Sequence, residues 1–442
     1  MAQTLDPTTR LYRACNPNES LEPTDDRYVN CDEVRGAHVV EAFERCLRLA
    51  DPEKPEVKPF AGHRGVGKTS ELYRLRASLE RPPSAQKPSS FQVVYFDVSQ
   101  ALDVNDLDFP DLLVCTVAEV QRQLRDANIE GFDPVTTYLQ RLWDDVKQTL
   151  GTKVLLKEAK VAVPFGDLTA EIKNRPDARA QLREAVNLRS TDLLEAVNDL
   201  LTVARVKLLE RGKDGLVLII DGLDKMVRRE LKDGKTTTHD RLFLDRADQL
   251  ASLNAHTIYT VPISLFYSPR TAQVEHAFGE HNVPVSMINL RGPGRSDPTP
   301  ETAGMKVMGK MIEARCRHAG VKVGDAFDAP ETAHYLCAMT GGHPRHLMMF
   351  LRSSLGAIES LPITRKAAET AVRNYANSLL REIPDAYWEK LRAFAKPSED
   401  MPSDELHQEM LYLLHVFEYM NGRPWYEVNP VIRTLPKYGA GS

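Results

Sequence analysis

Two short stretches of the 442-residue chain carry residues whose types and spacing could do chemistry. The first is Gly62-His63-Arg64-Gly65-Val66-Gly67-Lys68-Thr69, with Ser70 following. Its glycines let successive backbone N–H groups turn inward around an anion without Cβ clashes. In that setting the lysine amine reaches the outer phosphates of a nucleotide and the threonine hydroxyl holds Mg²⁺. Gly62, His63, Arg64, Gly65, Val66, Gly67, Lys68, Thr69 and Ser70 are therefore the candidate nucleotide-binding residues. The second stretch is Leu216-Val217-Leu218-Ile219-Ile220-Asp221-Gly222-Leu223-Asp224. Its apolar run buries a strand and delivers Asp221 at the C-terminal end, where open α/β sheets place ligands. Asp221, with Thr69, is the candidate metal residue, and Asp224 stands where it could orient or deprotonate an attacking water. Alone, this stretch is a buried strand ending in a helix-capping aspartate. Paired with the glycine loop, it becomes the metal side of an ATP or ADP site whose chemistry rests on Lys68, Asp221 and Asp224.

These residues need a sheet and helices to hold them. Residues 57–61 read as a short strand, and Leu72, Leu75 and Leu79 recur at helical spacing over 70–80, so a helix N-terminus faces the anion. A dense apolar run at 91–98 suits the middle of a parallel sheet, and a helix over 111–124 follows it. A long amphipathic helix over 191–211 stops at Gly212. Two further strands are expected at 256–265 and 283–290. The Lys-, Thr- and Gly-rich segment 228–240 between them and the preceding strand reads as a mobile loop. Residues 131–186 break the alternation and are an insertion, with a hairpin suggested near 154–172.

The length implies two or three compact units. Residues 1–35 are polar, carry Pro7, Pro17 and Pro23, and read as an extended arm too small for an effector domain. The core then spans 36–292, ending at the breaker cluster Arg291-Gly292-Pro293-Gly294-Arg295. A helical domain is expected over 293–394 and a final unit over 395–442, where a strand, Asn421-Gly422 and a second strand form a wing. Hydrophobic content of 42%, charged content of 27% and a net charge of -5 name no partner by themselves. Six scattered cysteines without a C-x-x-C pair fit reduced, buried thiols. Neither a signal pattern nor an apolar run of spanning length occurs, which predicts a cytoplasmic protein with no membrane association.

With these elements in place the chain resembles the signal-transduction P-loop ATPases, including the NACHT proteins, and their relatives among AAA+ ATPases of the origin-recognition type. The resemblance rests on the phosphate loop, on Asp221-Gly222-Leu223-Asp224, and on Gly342-His343-Pro344 followed by Arg345, and it covers roughly residues 30–435. It implies a parallel-sheet α/β core, a helical lid and a C-terminal winged helix. It also implies that Pro344 contacts the nucleotide and that Arg345 faces the phosphates as a second sensor. The same residues make a helix stop, a turn and a proline-started helix, which accounts for the glycines with no ligand. NACHT proteins carry a further acid after the second aspartate, whereas Lys225 stands here, which points to slow hydrolysis or to nucleotide binding used as a switch.

By the same likeness Tyr28, Val29 and Arg35 would shape the adenine pocket and Thr260 or Ser264 would sense the γ-phosphate. Arg270, Arg291 and Arg295 are candidates to reach a neighbour's nucleotide, and His407 or His415 to touch the β-phosphate of ADP. For each, ordinary packing or surface charge is the competing reading.

The implied function is an ATP-binding, Mg²⁺-dependent molecular switch that signals through an effector in trans or through a nucleotide-dependent homo-oligomer, with antiviral defence as a family-level possibility. The alternative is an origin-recognition-like DNA-loading ATPase. Against DNA, residues 398–420 hold Glu399, Asp400, Asp404, Glu405, Glu409 and Glu418 and no Lys or Arg. A small-molecule kinase would need a shorter chain without lid or wing.

Overall fold

A computed structural model describes residues 5–51, 53–82, 90–129, six positions between 173 and 184, and 190–231, 236–279 and 284–439. The suggested hairpin near 154–172 lies outside the described residues, as does most of the insertion. Strands β1 (Val57–Gly62), β2 (Gln92–Asp97), β3 (Leu216–Asp221) and β4 (His256–Pro262) form one parallel sheet in the order β1-β4-β3-β2. The chain is thus an α/β protein, and every residue of β3 is buried, as a central parallel strand requires. β2 lies at the end of this order, and its backbone is capped by a side chain. Gln123, on the helix Phe109–Asp126, accepts from Tyr95 N (3.2 Å) and donates to Tyr95 O (2.7 Å), which blunts the strand.

The expected strand at 283–290 is only partly realised. Val285 bridges Gly62 in parallel, with Val285 N donating to Ala61 O at 2.8 Å. Beyond it the partners change: Met287 N donates to Glu418 O (3.3 Å) and Asn289 N to Val34 O (2.8 Å). Its apolar pattern buries the segment, but two other parts of the chain supply the hydrogen bonds that a neighbouring strand would. Strand β4 stops at Pro262, and residues 263–265, expected in that strand, lie in the short 3₁₀ turn Ile263–Tyr267.

Two further expectations need correction. The arm is not extended throughout, because Pro7–Ala14 is a helix capped by Asp6, whose carboxylate accepts from Thr9 N at 3.0 Å, with Pro7 in the first turn. The segment 228–240 is not wholly irregular. Glu230 pairs with Thr237, and Thr237 and Asp240 form a capping box for the helix Thr238–Phe243.

The helices Ala303–His318, Pro330–Met339, Pro344–Leu355 and Arg365–Glu382 bury Met308, Leu336, Leu347 and Val372 in one core, which also takes in Leu11, Ala14 and Cys15 from the arm. The C-terminal part supplies the helix Glu405–Tyr412 and the antiparallel hairpin of β5 (Val416–Asn421) and β6 (Arg423–Val428), turning at Gly422 with φ 73°. Val416, Tyr426 and Val428 join that same helical core. Phe417, Tyr419 and Trp425 instead pack with Phe60, Leu72 and Ile219 against the sheet. The hairpin is therefore a wedge between the core and the helical part. Among the described residues no helix is long and apolar enough to cross a membrane.

Candidate functional site

The loop between β1 and the helix Lys68–Leu79 has the backbone its glycines permit, with φ of 152° at Gly62, 83° at Gly65 and 104° at Gly67. Gly65 also has a packing reason, since a Cβ there would lie 2.7 Å from His343 and 2.9 Å from Arg345. The loop borders a cavity of about 370 Å³, within the range of small-ligand sites. Arg64, Gly65, Val66, Gly67, Lys68, Thr69 and Ser70 line it, as do Asp224, Pro344 and Arg345. Gly62, His63 and Asp221 lie behind that wall.

Lys68 is buried, and its Nζ donates to Gly62 O (2.7 Å) and His63 O (2.9 Å) and pairs with Asp224 Oδ2 at 2.9 Å. Burial works to raise the Asp224 carboxyl, but the Lys68 amine beside it outweighs that, and the group sits below its ordinary range. A carboxylate held this way is a poor base until the lysine finds another anion. Asp221 differs. Burial and then the neighbouring Asp224 push its carboxyl up, against the hydrogen bonds it accepts from Thr69 and Tyr95. Thr69 Oγ1 donates to Asp221 Oδ2 at 2.7 Å, so Asp221 reaches the cavity through the threonine. Lys225 also lines the cavity, and its amine donates to Asp97 Oδ2 (2.7 Å) and Ser99 Oγ (3.0 Å).

The arm closes the far side. Tyr28, Val29 and Arg35 line the cavity with residues 16–21, while Met311, Arg315 and Met348 come from the helical part. Arg35 donates to Val66 O (2.6 Å) and pairs with Glu71, and Leu21 N donates to Ser70 Oγ at 2.9 Å. Arg345 donates from Nε to Pro17 O at 3.1 Å; burial and then Arg64 pull its affinity for the proton down, as expected of cations gathered for an anion.

The loop is also tied from behind. His63 Nε2 accepts from Glu418 N on β5 at 2.8 Å, and His343 Nε2 donates to Arg64 O at 2.8 Å. Both imidazoles are fully buried and burial drops each to about 3, so they stay neutral. His343 stacks on His346 at 3.9 Å. Gly342, just before it, has φ 83° and lies so close to the Ile288 backbone that a Cβ would sit 1.9 Å from Ile288 O.

Other candidates fall elsewhere. Thr260 accepts from Leu223 N at 3.1 Å, which sets the turn carrying Asp224, and Ser264 is buried in the 3₁₀ turn; neither lines the cavity. Arg291 forks onto Glu427 (2.8 and 2.5 Å), and Arg295 pairs with Glu399 (2.6 Å) and covers the Trp425 ring, so both pin the hairpin. Arg270 pairs with Asp245 at 2.8 Å. His407 binds its helix cap Asp404 at 2.7 Å, and His415 is buried with neither ring nitrogen hydrogen-bonded among the described residues; the cavity wall includes neither histidine.

Tyr95 went unnoticed in the sequence. Its hydroxyl donates to Asp221 Oδ2 at 2.9 Å. The signal was available, because residues 95 and 97 share one face of a strand that ends beside Asp221.

No protein-family profile matches the chain, and neither does any curated protein. Solved structures do. A Walker-type ATPase of Pyrococcus abyssi is similar at TM-score 0.45 and 13% identity, covering 95% of this chain and 99% of its own. The Aeropyrum pernix ORC2 protein in ADPNP and ADP complexes is similar at TM-score 0.41 and 13% identity, covering 97% and 96%. Drosophila ORC bound to DNA reaches TM-score 0.41 and 10% identity, covering 99% and 93%. These likenesses are distant in shape and sequence, and the functional reading rests on the site itself.

Proposed function

We propose that the chain is an ATP-binding and ATP-hydrolysing switch whose nucleotide lies in the cavity between phosphate loop, arm and helical part. The observation that carries this is the convergence of Lys68, Thr69 and Asp224 on one cavity, with Asp221 bonded to Thr69 from behind. The donor set fits both ligands. Lys68, Arg64 and Arg345 supply positive charge for a polyphosphate, and the Thr69 hydroxyl with the Asp221 carboxylate offers the hard oxygens Mg²⁺ prefers. Mg²⁺ bound there would neutralise charge building on the phosphates. Lys68 would exchange Asp224 for phosphate oxygens, which frees Asp224 to orient or deprotonate water. With Lys225 engaged by Asp97, no second acid follows Asp224, which supports slow turnover.

The output would pass through the hairpin wedge to an effector in trans or to a second copy, since phosphate contacts differ between the two nucleotide states. Titrating ATP and ADP into wild type, Lys68→Ala and Asp221→Ala tests the reading. Equal binding and turnover in all three would sink it.

A DNA-loading ATPase is the second reading, and one observation strengthens it. The acidity counted against DNA is largely spent internally. Glu418 is buried, Glu399 pairs with Arg295, Glu405 with Arg228, and Glu409 accepts from Tyr387. Salt-dependent binding to duplex DNA would favour this reading, and no binding at low salt would remove it.

A further inference from the structure

We infer that Tyr95 is a positioning residue for the Asp221 carboxylate, and through it for the Mg²⁺ of the proposed site; the inference rests on that functional reading. Asp221 is buried, so the orientation of its carboxylate is set by the donors it meets. Oδ1 accepts from Gly222 N at 2.7 Å. Oδ2 accepts twice, from Thr69 Oγ1 at 2.7 Å and from the Tyr95 hydroxyl at 2.9 Å. The first donor comes from the residue that follows and the second from the phosphate-loop helix. Tyr95 alone reaches across from the neighbouring strand. A carboxylate offers roughly four lone-pair sites, so three donors on two oxygens leave little rotational freedom.

Tyr95 is itself held from three directions. Its strand is in register with β3, placing Tyr95 opposite Ile219 and Asp97 opposite Asp221. Gln123 binds both its backbone N–H and its C=O. Its ring meets Tyr73, on the helix that begins at Lys68, edge to face at 5.1 Å. The hydroxyl is thus a fixed strut between the edge strand and the carboxylate. Outer partners of metal-binding carboxylates set how well those carboxylates hold the ion.

A merely structural tyrosine would satisfy a buried acid and affect stability alone, so the test must read the metal. Full-length wild type and Tyr95→Phe, which keeps the ring, are titrated with a fluorescent ATP analogue in EDTA and across Mg²⁺ concentrations. The expected result is affinity in EDTA within about twofold of wild type and a Mg²⁺ midpoint raised about tenfold. Mn²⁺, which binds such sites more tightly, should recover part of the loss. An unchanged Mg²⁺ midpoint overturns the inference. Should Tyr95→Phe fail to fold, Gln123→Leu, which releases the Tyr95 backbone, must raise the midpoint more than twofold, and an unchanged value again refutes it. Wild-type binding that ignores Mg²⁺ would remove the metal reading itself, an outcome distinct from a normal wild type with an unaltered Tyr95→Phe.

Discussion

Replacing Lys68 by methionine keeps the stem and removes only the charge, which makes the buried pair with Asp224 measurable. Both side chains are almost wholly shielded, with 4% and 7% exposure, and their charged atoms lie 2.9 Å apart. Without the amine, the Asp224 carboxylate is stranded where burial alone would raise it from its ordinary value of 3.8. It can shed that charge by taking a proton, which at pH 7 costs at most about 4 kcal/mol, at ~1.4 kcal/mol per pH unit. That ceiling agrees with the ~3–5 kcal/mol found for breaking buried ion pairs. In the wild type the depressed carboxyl stabilises the fold above its unfolded value and loses that contribution only in acid. In Lys68→Met the raised carboxyl is a penalty that grows as pH rises above 3.8 and falls to about 1.6 kcal/mol at pH 5. Thermal melts at pH 7 and pH 5 should therefore show a gap from wild type that narrows on acidification. The double variant Lys68→Met/Asp224→Asn should recover most of the loss. A single variant as stable as wild type at pH 7, or a double variant no better than the single, would refute the reasoning. It follows that lost nucleotide binding in a Lys68 variant counts only once folding has been checked.

Three further outcomes are expected. Burial pushes Glu418 from its ordinary 4.5 to about 8, so the fold keeps a proton that the unfolded chain releases. Stability attached to it should fall as pH climbs from 4.5 through 8, by roughly 5 kcal/mol in all at ~1.4 per unit. Glu418→Gln should gain on wild type in melting temperature between pH 5.5 and pH 9, and a constant gap would contradict this. Arg291→Ala should cost about 3 kcal/mol by leaving Glu427 half-paired in a buried site, whereas Arg270→Ala should stay within ~1 kcal/mol; urea unfolding compares them. If Arg291→Ala instead abolished turnover with stability intact, its role as a hairpin anchor would be wrong. Thr69→Ala should lose the Mg²⁺-dependent part of nucleotide affinity and keep the part seen in EDTA, and calorimetry with and without Mg²⁺ separates the two.

The phosphate loop and its helix were legible because glycine torsions and helical spacing are local properties, and β3 because a central parallel strand must be apolar on both faces. The arm helix Pro7–Ala14 escaped notice because it is short and gains stability from Met308 and Met311, far along the chain. Arg291 and Arg295 looked free to reach a neighbour because their partners, Glu427 and Glu399, are more than a hundred residues away. Glu418 looked like surface charge because alternation along β5 puts it on the face opposite Phe417 and Tyr419, and that face is covered as well. Tyr95 differs from these in having a local signal, since it shares a strand face with Asp97.

The grip of His63 and His343 on the loop sets an order of events for the growing chain. The hydrogen bond from Glu418 N to His63 joins residues 355 apart, and that from His343 to Arg64 O joins residues 279 apart. The helix at the N-terminus waits as well, since Arg10 donates to Ala319 O across 309 residues. Contacts of such separation are slow to close. The segment synthesised early thus acquires its final surroundings only after the last hairpin has emerged. A chain cut short before residue 416 would carry the whole glycine motif and still lack the structure that holds it in place.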